Sequence, residues 1–227
     1  MQKVYLAGPD VFAPNALKLG DEKKKICLKY GYDAHYPLDV EFKNSEDKSH
    51  TAMDIVQSNM NLIRNSDIVL ANLNNFRGSE AHPACDSGTA WECGYAYGLG
   101  KTVIAYTDNE NSIPHGILSN LSYAVNGDAE TAISIASSII FASRKDRQLD
   151  TIGIFTLDPD YDDILDVDAL TAFKLGLVSA YGIRPNVQLT DKRTQVEKYG
   201  PYDINGYEVE DFGLCCNIMI VLNSNIY

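Results

Sequence analysis

The chain is 227 residues long, 45% hydrophobic and 22% charged, a length that suits one large domain or one domain carrying a substantial insertion. Its formal net charge of −12 argues against binding to a phosphate backbone, since nucleic-acid affinity rests on clustered Lys and Arg. Cys27, Cys85, Cys93, Cys215 and Cys216 have no Cys-x-x-Cys spacing and point to a reduced, cytoplasmic protein, and no signal peptide or membrane span of roughly 18–20 apolar residues is discernible.

Lys3–Ala7 reads as a short buried strand ended by Gly8-Pro9, and Asn15–Tyr30 as a helix stopped by Gly31. Ala34–Leu38 is a weaker strand. Thr51–Asn65 is an amphipathic helix through Met53, Ile55, Val56, Met60 and Ile63, and Asp67–Leu73 is a continuous apolar run of the kind found in central parallel strands. A polar loop, 74–85, leads to a helix over Ser87–Leu99, followed by a strand over Lys101–Tyr106. Strands and helices alternating at this spacing predict a βαβ series and an α/β fold, a flavodoxin- or Rossmann-like parallel sheet flanked by helices. Such sheets bind ligands outside the carboxyl ends of their strands, where Tyr5, the Gly8 loop, the loop after Leu73 and the start of the Ser87 helix would gather. The basic runs Lys23-Lys24-Lys25 and Arg144-Lys145-Asp146-Arg147 read as solvated faces. Fourteen tyrosines suit surfaces or pockets where a ring and a hydroxyl both serve.

Residues 86–100, Asp-Ser-Gly-Thr-Ala-Trp-Glu-Cys-Gly-Tyr-Ala-Tyr-Gly-Leu-Gly, concentrate the chemistry. Asp86 stands at the N-cap of a helix and Glu92 inside it, about 9 Å further along the axis. Gly88 and Ala96, four residues either side of Glu92, make its face small enough for something to approach the carboxylate. Two readings stand at this point: a capping Asp with a solvated Glu on a surface helix, or a working pair of acids. His82, Cys85 and Cys93 lack the paired spacing of a zinc site.

Beyond Asp108, Ala129–Ser143 reads as a helix and Thr151–Leu157 as a strand. Asp168-Ala-Leu-Thr-Ala-Phe-Lys-Leu-Gly then echoes Asp86-Ser-Gly-Thr-Ala-Trp-Glu-Cys-Gly, with Gly182 answering Gly100. This is either a degenerate partial duplication or a chance likeness of two units. In a duplication Lys174 takes the place of Glu92, so only the first copy keeps its acid. In the tail, Asn217 stands alone in an apolar run, either as a structural hydrogen-bonder or as a ligand contact.

Tyr-Leu-Ala-Gly-Pro-Asp-Val-Phe (5–12), Asp-Ile-Val-Leu-Ala-Asn-Leu (67–73), Phe-Arg-Gly-Ser (76–79), Asp-x5-Glu-x-Gly-Tyr-Ala (86–96) and Asn-Ile-Met (217–219) together resemble the nucleoside 2-deoxyribosyltransferases. The likeness runs through roughly 1–107 and 191–227. It implies exchange of the base of a 2'-deoxynucleoside with a free nucleobase through a covalent glycosyl-enzyme, without metal or organic cofactor. It implies Glu92 as the nucleophile at C1', Asp86 as the acid at the base, Tyr5 as the hydroxyl orienting Glu92, and Asn217 as the ligand of the sugar 5'-hydroxyl. Further substrate contacts fall on Gly8, Phe12, Asn59, Gly88, Met219 and the terminal Tyr227. Family members often draw the Asn from a neighbouring subunit, which implies a homo-oligomer, dimer or higher.

That chemistry is coherent. Cleaving an N-glycosidic bond builds positive charge on the sugar, which a nearby carboxylate stabilises before bonding to it, and an acid must supply the base with a proton. Asn59 stands where some members carry an aspartate, and a stretch of about 108–190 is inserted into what reads as a single domain, 1–227. Two other readings compete: a hydrolase cleaving 2'-deoxynucleoside 5'-monophosphates, and a non-catalytic nucleoside-binding module. The acid in the Gly8 loop, Asp10, disfavours a phosphate there, with Arg77 the one cation that keeps it open.

Overall fold

A computed structural model describes residues 1–40, 48–79, 81–109, 123–139, 167–189 and 191–227. Its strands β1 (Gln2–Ala7), β2 (Tyr32–His35), β3 (Ile68–Asn72), β4 (Thr102–Thr107) and β5 (Tyr123–Asn126) form one sheet in the order β2-β1-β3-β4-β5. Every pairing is parallel, with Tyr5 opposite Val69 and Val69 opposite Val103. This is the flavodoxin-like order, and the chain reverses direction across the sheet between β1 and β3. The α/β expectation is met.

Side-chain alternation along the strands divides the core in two. Val4, Leu6, Ile68, Leu70, Ile104 and Tyr106 face one side, where Cys27 of α1 (Ala16–Lys29) and Ala132 and Ile133 of α4 (Ala129–Ile139) cover them. Tyr5, Ala7, Val69, Ala71, Val103 and Ala105 face the other, beneath α2 (Lys48–Asn65) and α3 (Ser87–Gly98). On that side Ala52, Val56, Met60 and Ile63 of α2 and Ala90, Trp91 and Cys93 of α3 complete the packing. Tyr5 therefore points toward α3 by strand parity alone.

Trp91 is fully buried and stacks on Tyr95, ring centroids 5.0 Å apart. Truncating such a side chain to Ala costs about 3–5 kcal/mol. Beyond α3 lie α5 (Ala169–Ser179), α6 (Gln195–Tyr199) and α7 (Ile218–Val221), with a separate parallel pair, β6 (Asn186–Val187) and β7 (Asn225–Ile226).

Several expectations shift. The second strand lies at 32–35 rather than 34–38, because Pro37 opens a 3-10 turn over Pro37–Asp39 and has no N–H for a ladder. Strand β5 went unforeseen; it pairs in parallel with β4 at the edge of the main sheet, and α4 packs against that sheet beside Cys27. Within Ala129–Ser143, the described helix runs to Ile139; residues 140–143, the strand expected at 151–157 and the basic run 144–147 lie outside the described residues. Lys23 is no solvated side chain: it bonds Asp10 at 2.5 Å and lies over the Tyr106 ring. No helix among the described residues is long and apolar enough to cross a membrane.

Candidate active site

At the carboxyl edge of β1 and β3 a cavity of about 320 Å³ opens, large enough for a small organic ligand. It is built from three parts of the chain. The Gly8 loop and the 37–38 turn form one wall, α2 and the first two turns of α3 form the floor, and residues 208–219 form the cover.

The Gly8 loop hugs β3: a Cβ on Gly8 would fall 2.7 Å from the Asn72 Cβ, so only glycine lets the two strand ends approach this closely. Phe12 is held there by Phe76, their rings stacked 5.5 Å apart.

Helix α3 is buried along Ser87–Ala96, which removes the solvated-surface reading of its acids. Asp86 caps it, its Oδ2 accepting from the Thr89 N–H at 2.8 Å and from the Thr89 hydroxyl at 2.7 Å. Two turns on, Glu92 is 6% exposed and its Oε1 accepts a 2.5 Å hydrogen bond from the Tyr5 hydroxyl. Burial pushes the Glu92 carboxyl up to about 8, the Tyr5 hydrogen bond pulls it down, and the Asp86 charge pushes it up again. The Tyr5 phenol is itself driven well above its ordinary value, first by burial and then by the Glu92 charge, so it stays a donor.

The third part arrives from the tail. Asn217 caps the short α7, its Oδ1 accepting from the Met219 N–H at 2.9 Å. A Cβ on Gly88 would meet the Asn217 side chain at 2.4–2.7 Å. The small face of α3 is thus the seat of Asn217, four residues from Glu92. Asn59 also lines the cavity, and among the described residues its buried Oδ1 has no hydrogen-bond partner. That is an acceptor left open to whatever enters.

The structure thus gathers Gly8, Phe12, Asn59, Asp86, Gly88, Glu92, Asn217 and Met219 around one cavity, with Tyr5 bonded to Glu92 from beneath. It does not bring Tyr227 there. That residue ends β7's ladder, bonds Val187 through its N–H and is 62% exposed.

Sequence reading missed Thr89, Phe212 and the acids Glu208, Glu210 and Asp211 of the cover. Their apolar companions were visible, but nothing in a local pattern said which way that segment folds back. Arg77 anchors it: Nε bonds Asp203 at 3.1 Å, Nη1 bonds Gln195 at 3.1 Å and Nη2 bonds the Glu208 carbonyl at 3.0 Å. The guanidinium also lies over the rings of Phe12, Phe76 and Tyr199. Arg77 holds φ at 59°, a left-handed conformation that costs a non-glycine residue of order 1–2 kcal/mol and persists because these partners fix it. The single cation that had left a phosphate site open is therefore spent on the fold.

A five-stranded flavodoxin-like sheet thus carries a ligand-sized cavity and two buried carboxylates, Asp86 and Glu92, at its switch point. The family described as Nucleoside 2-deoxyribosyltransferase matches residues 4–133, and the chain belongs to it. An uncharacterized protein of Schizosaccharomyces pombe is 33% identical over 118 residues, 51% of this chain and 54% of its own length. The chain thus matches about half the length of that curated relative. A 2-deoxyribosyltransferase of Bacillus psychrosaccharolyticus is similar at 24% identity and a TM-score of 0.47, over 57% of this chain and 88% of its own. A CMP N-glycosidase of Clostridium botulinum is similar at 17% identity and a TM-score of 0.38, over 60% of this chain and 99% of its own.

Proposed function

We propose that the chain moves the 2-deoxyribosyl group of a 2'-deoxynucleoside from one purine or pyrimidine base to another, in the cytoplasm, through a covalent intermediate on Glu92. The observation that carries this reading is the buried Glu92 carboxylate, oriented by Tyr5 and set beside Asp86 in a nucleoside-sized cavity.

In the first half-reaction a Glu92 oxygen bonds C1', the C1'–N bond breaks, and its electron pair leaves with the base while Asp86 gives that base a proton. In the second, a nitrogen of the incoming base bonds C1', the Glu92–C1' bond breaks, and Asp86 takes a proton back. Two displacements at one carbon retain its configuration. Both Thr89 bonds converge on Oδ2 of Asp86, which leaves Oδ1 available to the base. Tyr5 fixes the Glu92 carboxylate, so its attack angle is set before substrate binds. Burial that makes Glu92 reluctant to ionise also makes its charge worth most when the sugar turns cationic, which favours the transition state over the ground state.

Charge separates this reading from hydrolysis of a nucleoside monophosphate. Asp86, Glu92, Glu208, Glu210 and Asp211 line the cavity, and no Lys or Arg does among the described residues. Arg77 and Lys23 are committed to Asp203 and Asp10. A phosphate in that field would be repelled, whereas a nucleoside carries no charge to be repelled.

The test is incubation with deoxyinosine and free adenine or cytosine, followed by chromatography for the new nucleoside. Exchange outpacing hydrolysis is expected. Clean hydrolysis of deoxynucleoside monophosphates without exchange would favour the glycosidase, and neither reaction would leave a binding module.

A further inference from the structure

Helices α3 and α5 meet at an unusually short distance, and they meet reciprocally. A Cβ on Gly94 would fall 1.8 Å from the Phe173 carbonyl oxygen, and a Cβ on Gly176 would fall 1.9 Å from that of Trp91. Gly94 also faces the Leu177 N, and Gly176 the Tyr95 N, at 3.0 and 2.9 Å. Phe173, Gly176 and Leu177 stand 82 positions after Trp91, Gly94 and Tyr95, so each contact is made twice with the roles exchanged. Reciprocity of this kind is what a two-fold, isologous contact between copies produces.

The same offset carries through both ends. Asp86 accepts from the Thr89 N–H, and Asp168 accepts from the Thr171 N–H. Gly100 and Gly182 close the helices at φ 73° and 74°, and each donates its N–H three residues back, to Tyr97 and to Ser179. The Lys101 N–H reaches the Ala96 carbonyl as that of Ile183 reaches Val178. After α3 comes β4, paired in parallel with a later strand, and after α5 comes β6, likewise. Caps and glycine stops alone recur in any two helices. A reciprocal backbone contact at a fixed offset does not follow from them.

We propose that the unit centred on α5 is a degenerate second copy which takes the place of a second subunit, so that one chain completes its own site. The covering segment follows that copy in sequence. It returns to the first copy with Glu208 N–H bonded to the Phe12 carbonyl at 2.9 Å, and it sets Asn217 on Gly88. Arg77, from the first copy, clamps it through Asp203 and Gln195. Lys174 stands where Glu92 stands in α3, so the chain has one site, not two.

Two arms test this. Light scattering on the purified full chain should give the mass of one chain, 25.1 kDa, and a species at twice that mass or more overturns the proposal. This arm needs no activity, so it stands even if the transfer reaction proposed above fails. In the second arm, which rests on that reaction, Glu92→Ala and Asn217→Ala chains carrying different tags are co-expressed. A site built within each chain leaves their combined exchange at the sum of the two separate variants. A site shared between chains would regain about a quarter of the unmodified rate through mixed pairs, and that result overturns the proposal.

Discussion

Helices α3 and α5 share a cap, a central glycine and a glycine stop, and they pack on one another through the same backbone atoms. Their surroundings differ. Ser87–Ala96 of α3 is buried between the sheet, α2, α5 and α7, and its Glu92 opens on a cavity; in α5 the corresponding position is Lys174 and no cavity residue comes from the helix. What repeats is what builds and closes the helix. What does not repeat is the acid, which in α3 accepts from the strand-end Tyr5 and lines the cavity together with Asn217. The scaffold and the chemistry are therefore separable, and each can be broken alone.

The largest effect is expected at the acid. Glu92→Ala should lower base exchange by about 10³-fold or more while Lys174→Ala leaves it within about twofold, measured as initial rates of new nucleoside formation. A large loss from Lys174→Ala would mean the second copy takes part in the chemistry.

The buried acid also sets a pH signature. With the Glu92 carboxyl at about 8 in the fold and near 4.5 once unfolded, the folded chain holds its proton more tightly. That favourable contribution is complete below about 4.5 and is lost as pH rises through 8. Glu92→Gln, which cannot ionise yet still accepts from Tyr5, should match the unmodified chain at pH 5. At pH 9 it should exceed it by up to about 4 kcal/mol, read by urea unfolding. The reaction runs the opposite way, since the nucleophile must be ionised: kcat/KM should climb with pH to a midpoint near 8.

Next come the paired glycines. Gly94→Ala and Gly176→Ala each force a methyl into a backbone carbonyl, and each should cost about 3 kcal/mol, lowering Tm by roughly 6–12 °C. Equal losses support the reciprocal contact, and a loss at Gly94 alone would break the comparison. The smallest effects belong to Gly100→Ala and Gly182→Ala. Both lie in open space at positive φ, and each should cost about 1 kcal/mol in the same thermal scans.

The parallel sheet was legible because its strands are short apolar runs between helix-length amphipathic segments, and the pair of acids was legible because a cap fixes where α3 starts. The alternation of Tyr5 with Val4 and Leu6 sets the phenol on the opposite face from them, and the packing of α3 on that face brings it to Glu92. The role of Gly88 was only half visible: its smallness implied a close neighbour, but that neighbour, Asn217, is 129 positions away and arrives through the Arg77 clamp. The acids of the cover were hidden for the same reason, since no local pattern encodes a tail that folds back over a cavity. Tyr227, expected at the ligand, instead closes the β6–β7 pair, where its N–H donates to the Val187 carbonyl and its carbonyl accepts from the Leu189 N–H, which outweighs any suggestion from its place in the chain.

The central claim is a glycosyl group carried on Glu92, and intact-protein mass spectrometry of the chain quenched with a 2'-fluorinated deoxynucleoside addresses it directly. A fluorine beside C1' slows the second displacement more than it hinders capture, so the intermediate accumulates. One adduct per chain is predicted, located by peptide mapping to the segment that holds Glu92 and absent from Glu92→Gln. Base exchange proceeding with no adduct, or with the adduct on any other residue, would contradict it.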